Sequence, residues 1–178
     1  SRYLFTHNYF SDLGLPQTPS GEINNFSKVL FTISLAIMSL SMALFYLSLS
    51  NDGDQKSKAA TLCAAFGLLS AVGVIAAGFT PYTVYPLAHR WAVIAWLVGI
   101  AVATTLYITY AGQNNIKNSK TLSMLLVTQV AVFSLHSFGF EFLPVPIPFI
   151  QKLLIYTIVV WFVSHAFWLR AVPTKANI

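Results

Sequence analysis

Charge is what this sequence has least of. Charged residues make up 8% of its 178 residues, against 56% hydrophobic, whereas a soluble domain carries about 25% charged. Ten Lys and Arg and five Asp and Glu are too few to wet a globule of this size, because polar groups must face water. A soluble globular domain is therefore excluded. Disorder is excluded as well, since it needs low hydrophobicity and high charge. Cysteine is nearly absent. Cys63 stands alone, which removes any intramolecular disulfide and any paired-cysteine metal or redox site. It lies in an apolar run and reads as a small buried hydrophobe. A clustered run of Lys and Arg is also missing. The net charge of +5 is scattered, so it reads as membrane flanks and gives no surface for nucleic acid. What remains is an integral membrane protein.

Long apolar runs are what this class requires, and five are present, at roughly 29–50, 59–79, 87–110, 120–139 and 148–169. A helix rises ~1.5 Å per residue, so ~20 residues cross a ~30 Å hydrocarbon core. The runs do not alternate as barrel strands do. In lipid the backbone must satisfy itself, which makes them helices. The breaks are polar or proline-bearing: 51–56, the Pro/Tyr loop from Thr80 to Pro86, a turn at 112–115, and Pro144, Pro146 and Pro148 ahead of the last run. Proline lacks a donor and biases its predecessor away from helix. With no repeat and no linker, residues 1–178 read as a single integral membrane domain. The expected fold is an all-α polytopic transmembrane helix bundle with five visible spans. Residues 1–27 form a polar and aromatic outward-facing segment, 28–170 the bundle, and 171–178 a cytoplasmic tail. The first 25 residues are not apolar enough for a cleavable signal peptide.

Orientation follows from Lys and Arg bias. The side opposite the N-terminal segment, side B, holds Lys56, Lys58, Lys117, Lys120, Arg170 and Lys175. Side A, which carries the segment, holds Arg2, Lys28, Arg90 and Lys152, of which the last three sit at helix starts. The expected place is the cell membrane, with multiple passes, side A outward and the C-terminus cytoplasmic. Small residues form stripes on two runs: Ala60, Ala64, Gly67 and Ala71, then Ala88, Ala92, Ala95, Gly99 and Ala103. Such stripes let helices approach closely in lipid. They read as packing within the bundle, with a dimer seam as the alternative.

The unusual polar groups collect on side A. Asp12 precedes the first run, His89 and Arg90 open the third, His136 and Glu141 close the fourth, and Gln151 and Lys152 open the fifth. Ionisable groups near hydrocarbon cost several kcal/mol, so they face a cavity or pair with one another. These seven residues are the candidate ligand site, an outward polar pocket suited to a lipid head group. Arg90 pairs with Asp12 or Glu141, or grips a phosphate bidentately. Lys28 and Lys152 add positive charge, or simply snorkel. His89 and His136 lie at similar depth. One reading makes them a bis-His haem site, another a metal site with Asp12 or Glu141, and a third gives each imidazole a neighbour to bond. No metal-ligand spacing is present, so no metal is assigned, and no cofactor is expected beyond the haem alternative. His165 lies in a Trp-flanked stretch, 161–168, and reads as an anchor or a neighbour's partner. A His with a carboxylate suits general-base work, but no GxSxG elbow is present, so an enzymatic role stays open.

Two stretches carry a resemblance. The first is Tyr9-Phe10-Ser11-Asp12-Leu13-Gly14, followed by Asn25-Phe26-Ser27 and a helix. The second is Gly78-Phe79-Thr80-Pro81, then Ala88-His89-Arg90. With Gln151-Lys152, the chain resembles the bacterial and archaeal multi-pass proteins called DUF998, themselves distantly similar to the DRAM-like eukaryotic membrane proteins. The resemblance implies a further N-terminal helix ahead of the first motif. The acidic positions that the family pattern places after Pro81 are Tyr82 and Thr83 here, which argues against a metal. The family brings no established activity, and the eukaryotic relatives point toward lipid. The leading expectation is thus an integral membrane protein with a lipid head-group pocket, with membrane lipid as partner. The alternatives are an accessory subunit docked to other membrane subunits, and a haem carrier using His89 and His136.

Overall fold

The computed structural model describes residues 3–50, 58–113, 119–137, 139–140 and 143–171, without the side chains of 113 and 168–171. The turn at 51–56, Lys117, Glu141 and the tail at 172–178 lie outside the described residues. Five α-helices follow one another: α1 Asn25–Ser50, α2 Lys58–Phe79, α3 Pro86–Gln113, α4 Ser119–Ser137 and α5 Ile147–Ala171. A 3₁₀ turn, Phe10–Gly14, precedes them, and an isolated antiparallel bridge joins Gln17 to Ile23. The turn between those two residues carries Gly21 at φ 85°, a conformation that favours glycine.

Four of the helices are long and apolar enough to cross a membrane: α1, α2, α3 over Pro86–Gly112 and α5 over Ile147–Phe167. The five spans expected from the sequence are therefore corrected to four such helices among the described residues. Run 120–139 does form a helix, α4, and at 19 residues its ~28 Å nearly matches a hydrocarbon core. Its composition is what fails. Ser119, Thr121, Ser123, Thr128, Gln129, Ser134, His136 and Ser137 interrupt the apolar residues. Past its end, Gly139 takes φ 90°. The Gly139 N–H reaches the His136 carbonyl and the Phe140 N–H reaches the Leu135 carbonyl, each at 3.2 Å, the bond pair of a Schellman stop.

Apolar side chains point outward as well as inward. On α1, Ile33, Ile37, Leu40, Leu44 and Leu47 form an exposed stripe at helical spacing. In water that would be a large apolar patch; against acyl chains it is matched. The chain is a multi-pass membrane protein.

Each helix packs on the next in chain order, and α1 also meets α5. Between α2 and α3 the backbones nearly touch. A Cβ at Gly73 would lie 2.5 Å from the Trp96 amide nitrogen, and one at Gly99 would lie 2.6 Å from that of Ser70. The two glycines face opposite ways across one antiparallel seam. Ser70 Oγ donates to the Trp96 carbonyl at 3.1 Å in its middle. Ala60, Ala64, Gly67 and Ala71 are buried within the bundle, and Gly67 lies against the Tyr46 ring. Of the second stripe, Ala92, Gly99 and Ala103 are buried, Ala95 is half-buried and Ala88 is exposed, so the buried members of both stripes pack helices of one chain together. On side B, α4 and α5 are pinned by Trp161 Nε1–H donating to Ser123 Oγ at 2.9 Å. One turn along, Ser119 Oγ lies 3.4 Å from His165 Nε2, while His165 Nδ1–H donates to the Trp161 carbonyl at 2.6 Å.

Candidate functional site

The side A end is built by the segment ahead of α1, and each residue of its Ser-Asp-Leu-Gly stretch has a separate physical task. Asp12 reaches back to accept from the Tyr9 N–H at 2.9 Å, as an acidic residue in a first turn does. The same oxygen accepts from Asn8 Nδ2 at 3.2 Å. Its other oxygen accepts from the Tyr82 hydroxyl at 2.8 Å. The Leu13 carbonyl accepts from Ser27 Oγ at 2.9 Å, tying the turn to α1. Gly14 lies so close to the Phe31 ring that a Cβ would sit 2.5 Å from it. Ser11 turns toward the bundle and lines a cavity.

Two further bonds fasten the segment to α5. The Phe10 N–H donates to Gln151 Oε1 at 2.7 Å. Lys152 is 1% exposed. Its ammonium donates to the Asn8 carbonyl and to the Pro148 carbonyl at 3.3 Å. It also lies 5.4 Å from the Tyr3 ring centre and 5.1 Å from that of Phe5, within reach of a cation–π attraction. A buried charge must be compensated, and here carbonyls and ring faces compensate it.

The loop between α2 and α3 supplies the third wall. His89 Nδ1 lies 2.7 Å from the Thr80 carbonyl. A carbonyl only accepts, so Nδ1 carries the hydrogen and Nε2 is the acceptor of the neutral ring. The Tyr82 ring sits 5.9 Å from the His89 ring. Burial, and after it the carboxylate of Asp12, pushes the Tyr82 hydroxyl up to about 12, so it stays a donor across the physiological range. Burial and Asp12 likewise push Tyr3 up to about 12.

Beneath this lid lies a cavity of about 40 Å³, room for roughly three or four water molecules at ~10–15 Å³ each. Its walls are apolar: Phe31, Leu35 and Met38 of α1, Val74 and Ala77 of α2, Val93 and Trp96 of α3, and Ile155 of α5. Ser11, His89 and Gln151 bring polar atoms to it. Of the seven residues proposed from the sequence, His89 and Gln151 meet in this cavity. Asp12 stands beside it, bonded to Tyr82. Lys152 is enclosed by the N-terminal segment. Arg90 is exposed. His136 is buried on the last turn of α4 and does not line the cavity. Glu141 lies outside the described residues. No group of three His, Cys, Asp or Glu placed to hold a metal occurs among the described residues.

A family model described as a protein of unknown function, DUF998, matches residues 1–168. The chain belongs to the DUF998 family. No curated protein and no solved structure matches it. The match covers the N-terminal segment, the α2–α3 loop and the start of α5, which together make the cavity end of this DUF998 chain.

The residues that the sequence reading of the DUF998 chain passed over are Trp96 and Tyr82. Trp96 carried a usable signal. Tryptophan favours the membrane boundary, and this one falls ten residues into α3, ~15 Å along it. Tyr82 stood out only as a departure from the family's acidic pattern, and nothing in the sequence joined it to Asp12, 70 residues away in the chain.

Proposed function

We propose that this multi-pass membrane protein binds lipid at the cavity beneath its N-terminal segment, which takes in only the tip of the molecule while the rest lies against the outer face of the bundle, with that end facing outward. One observation carries the reading: a single cavity joins apolar walls from four helices to a polar rim of Ser11, His89 and Gln151. An amphiphile needs that pairing of surfaces, and binding sites combine an apolar lining with a few placed polar groups. Exposed Arg90, next in sequence to His89, is available at the same end to steady an anionic head group. Asp12 and Lys152 belong to the lid that closes the site. The haem alternative draws less support, since only His89 of its two histidines lines the cavity.

The test is lipid retention. Val93→Phe adds bulk to the cavity wall. Native mass spectrometry of the purified protein is expected to show bound lipid on the wild type and several-fold less on a Val93→Phe variant of unchanged helix content. Equal retention by the two proteins overturns the reading.

A further inference from the structure

Lys152 is a buried cation held by neutral partners. It is 1% exposed. Its ammonium donates to the Asn8 carbonyl and to the Pro148 carbonyl at 3.3 Å. The Tyr3 and Phe5 ring centres stand 5.4 and 5.1 Å away. Asp12 acts on it from a distance, while the Asp12 oxygens bond Tyr9, Asn8 and Tyr82. Buried charges are ordinarily paired with an opposite charge, and among the described residues none bonds Lys152.

The cover over Lys152 is one layer of chain. Tyr3, Leu4, Phe5, Thr6 and His7 are all exposed on its outer side. This cap is closed on itself. The Leu4 N–H donates to Asn8 Oδ1 at 2.8 Å, the Asn8 N–H to the Leu4 carbonyl at 2.9 Å, and the Tyr3 hydroxyl to the Tyr9 carbonyl at 3.3 Å. Residues 3–8 can lift from α5 with these bonds intact. On α5 they rest through Lys152 and through the Phe5 ring, which meets Phe149 edge-on and stacks on Tyr156, each with centres 6.4 Å apart.

Helical spacing puts Phe149, Lys152, Tyr156, Val160 and Val163 on one face of α5. Gln151 and Ile155, which line the cavity, lie ~100° around the helix from Lys152 and Tyr156. Tyr156, Val160 and Val163 are exposed, so the face runs on past the cap as an apolar track. Lys152 lies five residues into the Ile147–Phe167 span, ~8 Å from its side A end, a depth from which a lysine reaches the head-group layer. A cation at the top of an apolar track matches both parts of an anionic phospholipid. A phosphate gives the ammonium a charge-assisted bond, about twice as strong as a neutral one. A zwitterionic head group brings its own cation to compete for that phosphate.

We propose that residues 3–8 cap a second lipid site, on the outer face of α5, where an anionic phospholipid displaces the cap, pairs its phosphate with Lys152 and lays an acyl chain along Tyr156, Val160 and Val163. The site is separate from the cavity and stands without it. Cap and lipid compete for one cation, so weakening the cap strengthens lipid binding.

Native mass spectrometry of the full chain in detergent tests this, with dioctanoyl phosphatidylglycerol, dioctanoyl phosphatidylcholine and inorganic phosphate as probes. The wild type is expected to bind phosphatidylglycerol several-fold more tightly than phosphatidylcholine, and Val93→Phe, altered in the cavity wall, to keep that preference. Phe5→Ala removes the ring stacked on Tyr156 and is expected to bind phosphatidylglycerol several-fold more tightly still. Lys152→Met loses the preference and Lys152→Arg retains it. A cap that is only structural gives unchanged or weaker binding in Phe5→Ala, and that result overturns the proposal, as does a preference that survives Lys152→Met. Inorganic phosphate displacing the lipid at equal concentration shows that a bare anion suffices and overturns the lipid assignment. A preference lost in Val93→Phe places the lipid in the cavity, which overturns this site and leaves the cavity reading standing. Equal binding of the two lipids by the wild type overturns this site alone.

Discussion

The Tyr82 hydroxyl donates to Asp12 Oδ1 at 2.8 Å, joining positions 70 residues apart. It locks the segment ahead of α1 to the loop between α2 and α3, which adds a further hold on the cavity lid to the one that Ser27 gives it from α1. A third hold comes from α5, through Gln151 and Lys152. Opening the cavity means breaking such holds, which makes the Tyr82 and the α5 contacts points of control.

Removing the Tyr82 hydroxyl loosens the hold on that loop. Tyr82→Phe is expected to lower the thermal midpoint in detergent by an amount matching ~1.5–3 kcal/mol, the range for a hydrogen bond to a charged group, at the low end because the site is partly solvated. The hold also has a pH signature. Tyr82 titrates at about 12 in the fold against ~10 unfolded. A raised pKa of this kind stabilises fully below pH 10 and is lost as pH rises toward 12. Melting curves between pH 9 and 12 should show a steeper fall for the wild type than for Tyr82→Phe.

Lys152→Ala attacks the hold from α5. It removes the bond to the Asn8 carbonyl and the contacts with Tyr3 and Phe5. Amide exchange over 3–14 is expected to speed by an order of magnitude or more, given ~0.5–2 kcal/mol for the ring contacts alone, while the cores of α2 and α3 keep their rates. Unchanged exchange over 3–14 contradicts the cage.

The α2–α3 seam predicts opposite outcomes for one substitution type. Gly73→Ala and Gly99→Ala place a Cβ against backbone. Overpacking of ~1–3 kcal/mol should outweigh the ~1 kcal/mol that alanine gains in a helix. At Gly112 the nearest atom to an added Cβ is Lys120 Cε at 3.7 Å, so Gly112→Ala should hold or raise the thermal midpoint.

At the far end, the Trp161–Ser123 bond is open to a double-mutant cycle with Trp161→Phe and Ser123→Ala. Bonds between helices in membrane proteins couple by ~0.6 kcal/mol on average and reach ~1.7. A positive coupling in that range is expected. A coupling of zero removes this bond from the account of α4–α5 packing.

The helices were legible in the sequence because apolar runs in lipid have one backbone solution. The rise in polar and proline density at both ends of α1, α2, α3 and α5 marked their limits to within a few residues. Run 120–139 misled as a span because its length fits while Ser123, Thr128 and Gln129 dilute it. The gathering of polar residues at one end was legible too. What each does was not. Lys152 and Gln151 sit side by side in sequence, yet one is enclosed by Asn8 and the other faces the cavity, since adjacent helical positions point ~100° apart. Trp96 became a wall residue only when α2 and α3 closed at Gly73 and Gly99.

The account stands on the cavity as a lipid site, and a crystal structure grown from a lipid mesophase tests it most directly. Elongated density with its tip in the cavity at the Ser11, His89 and Gln151 rim, and the rest against the outer face of the bundle, is the predicted result. Side chains filling the cavity, with lipid confined to the outer stripe at Ile33, Ile37 and Leu40, would contradict it.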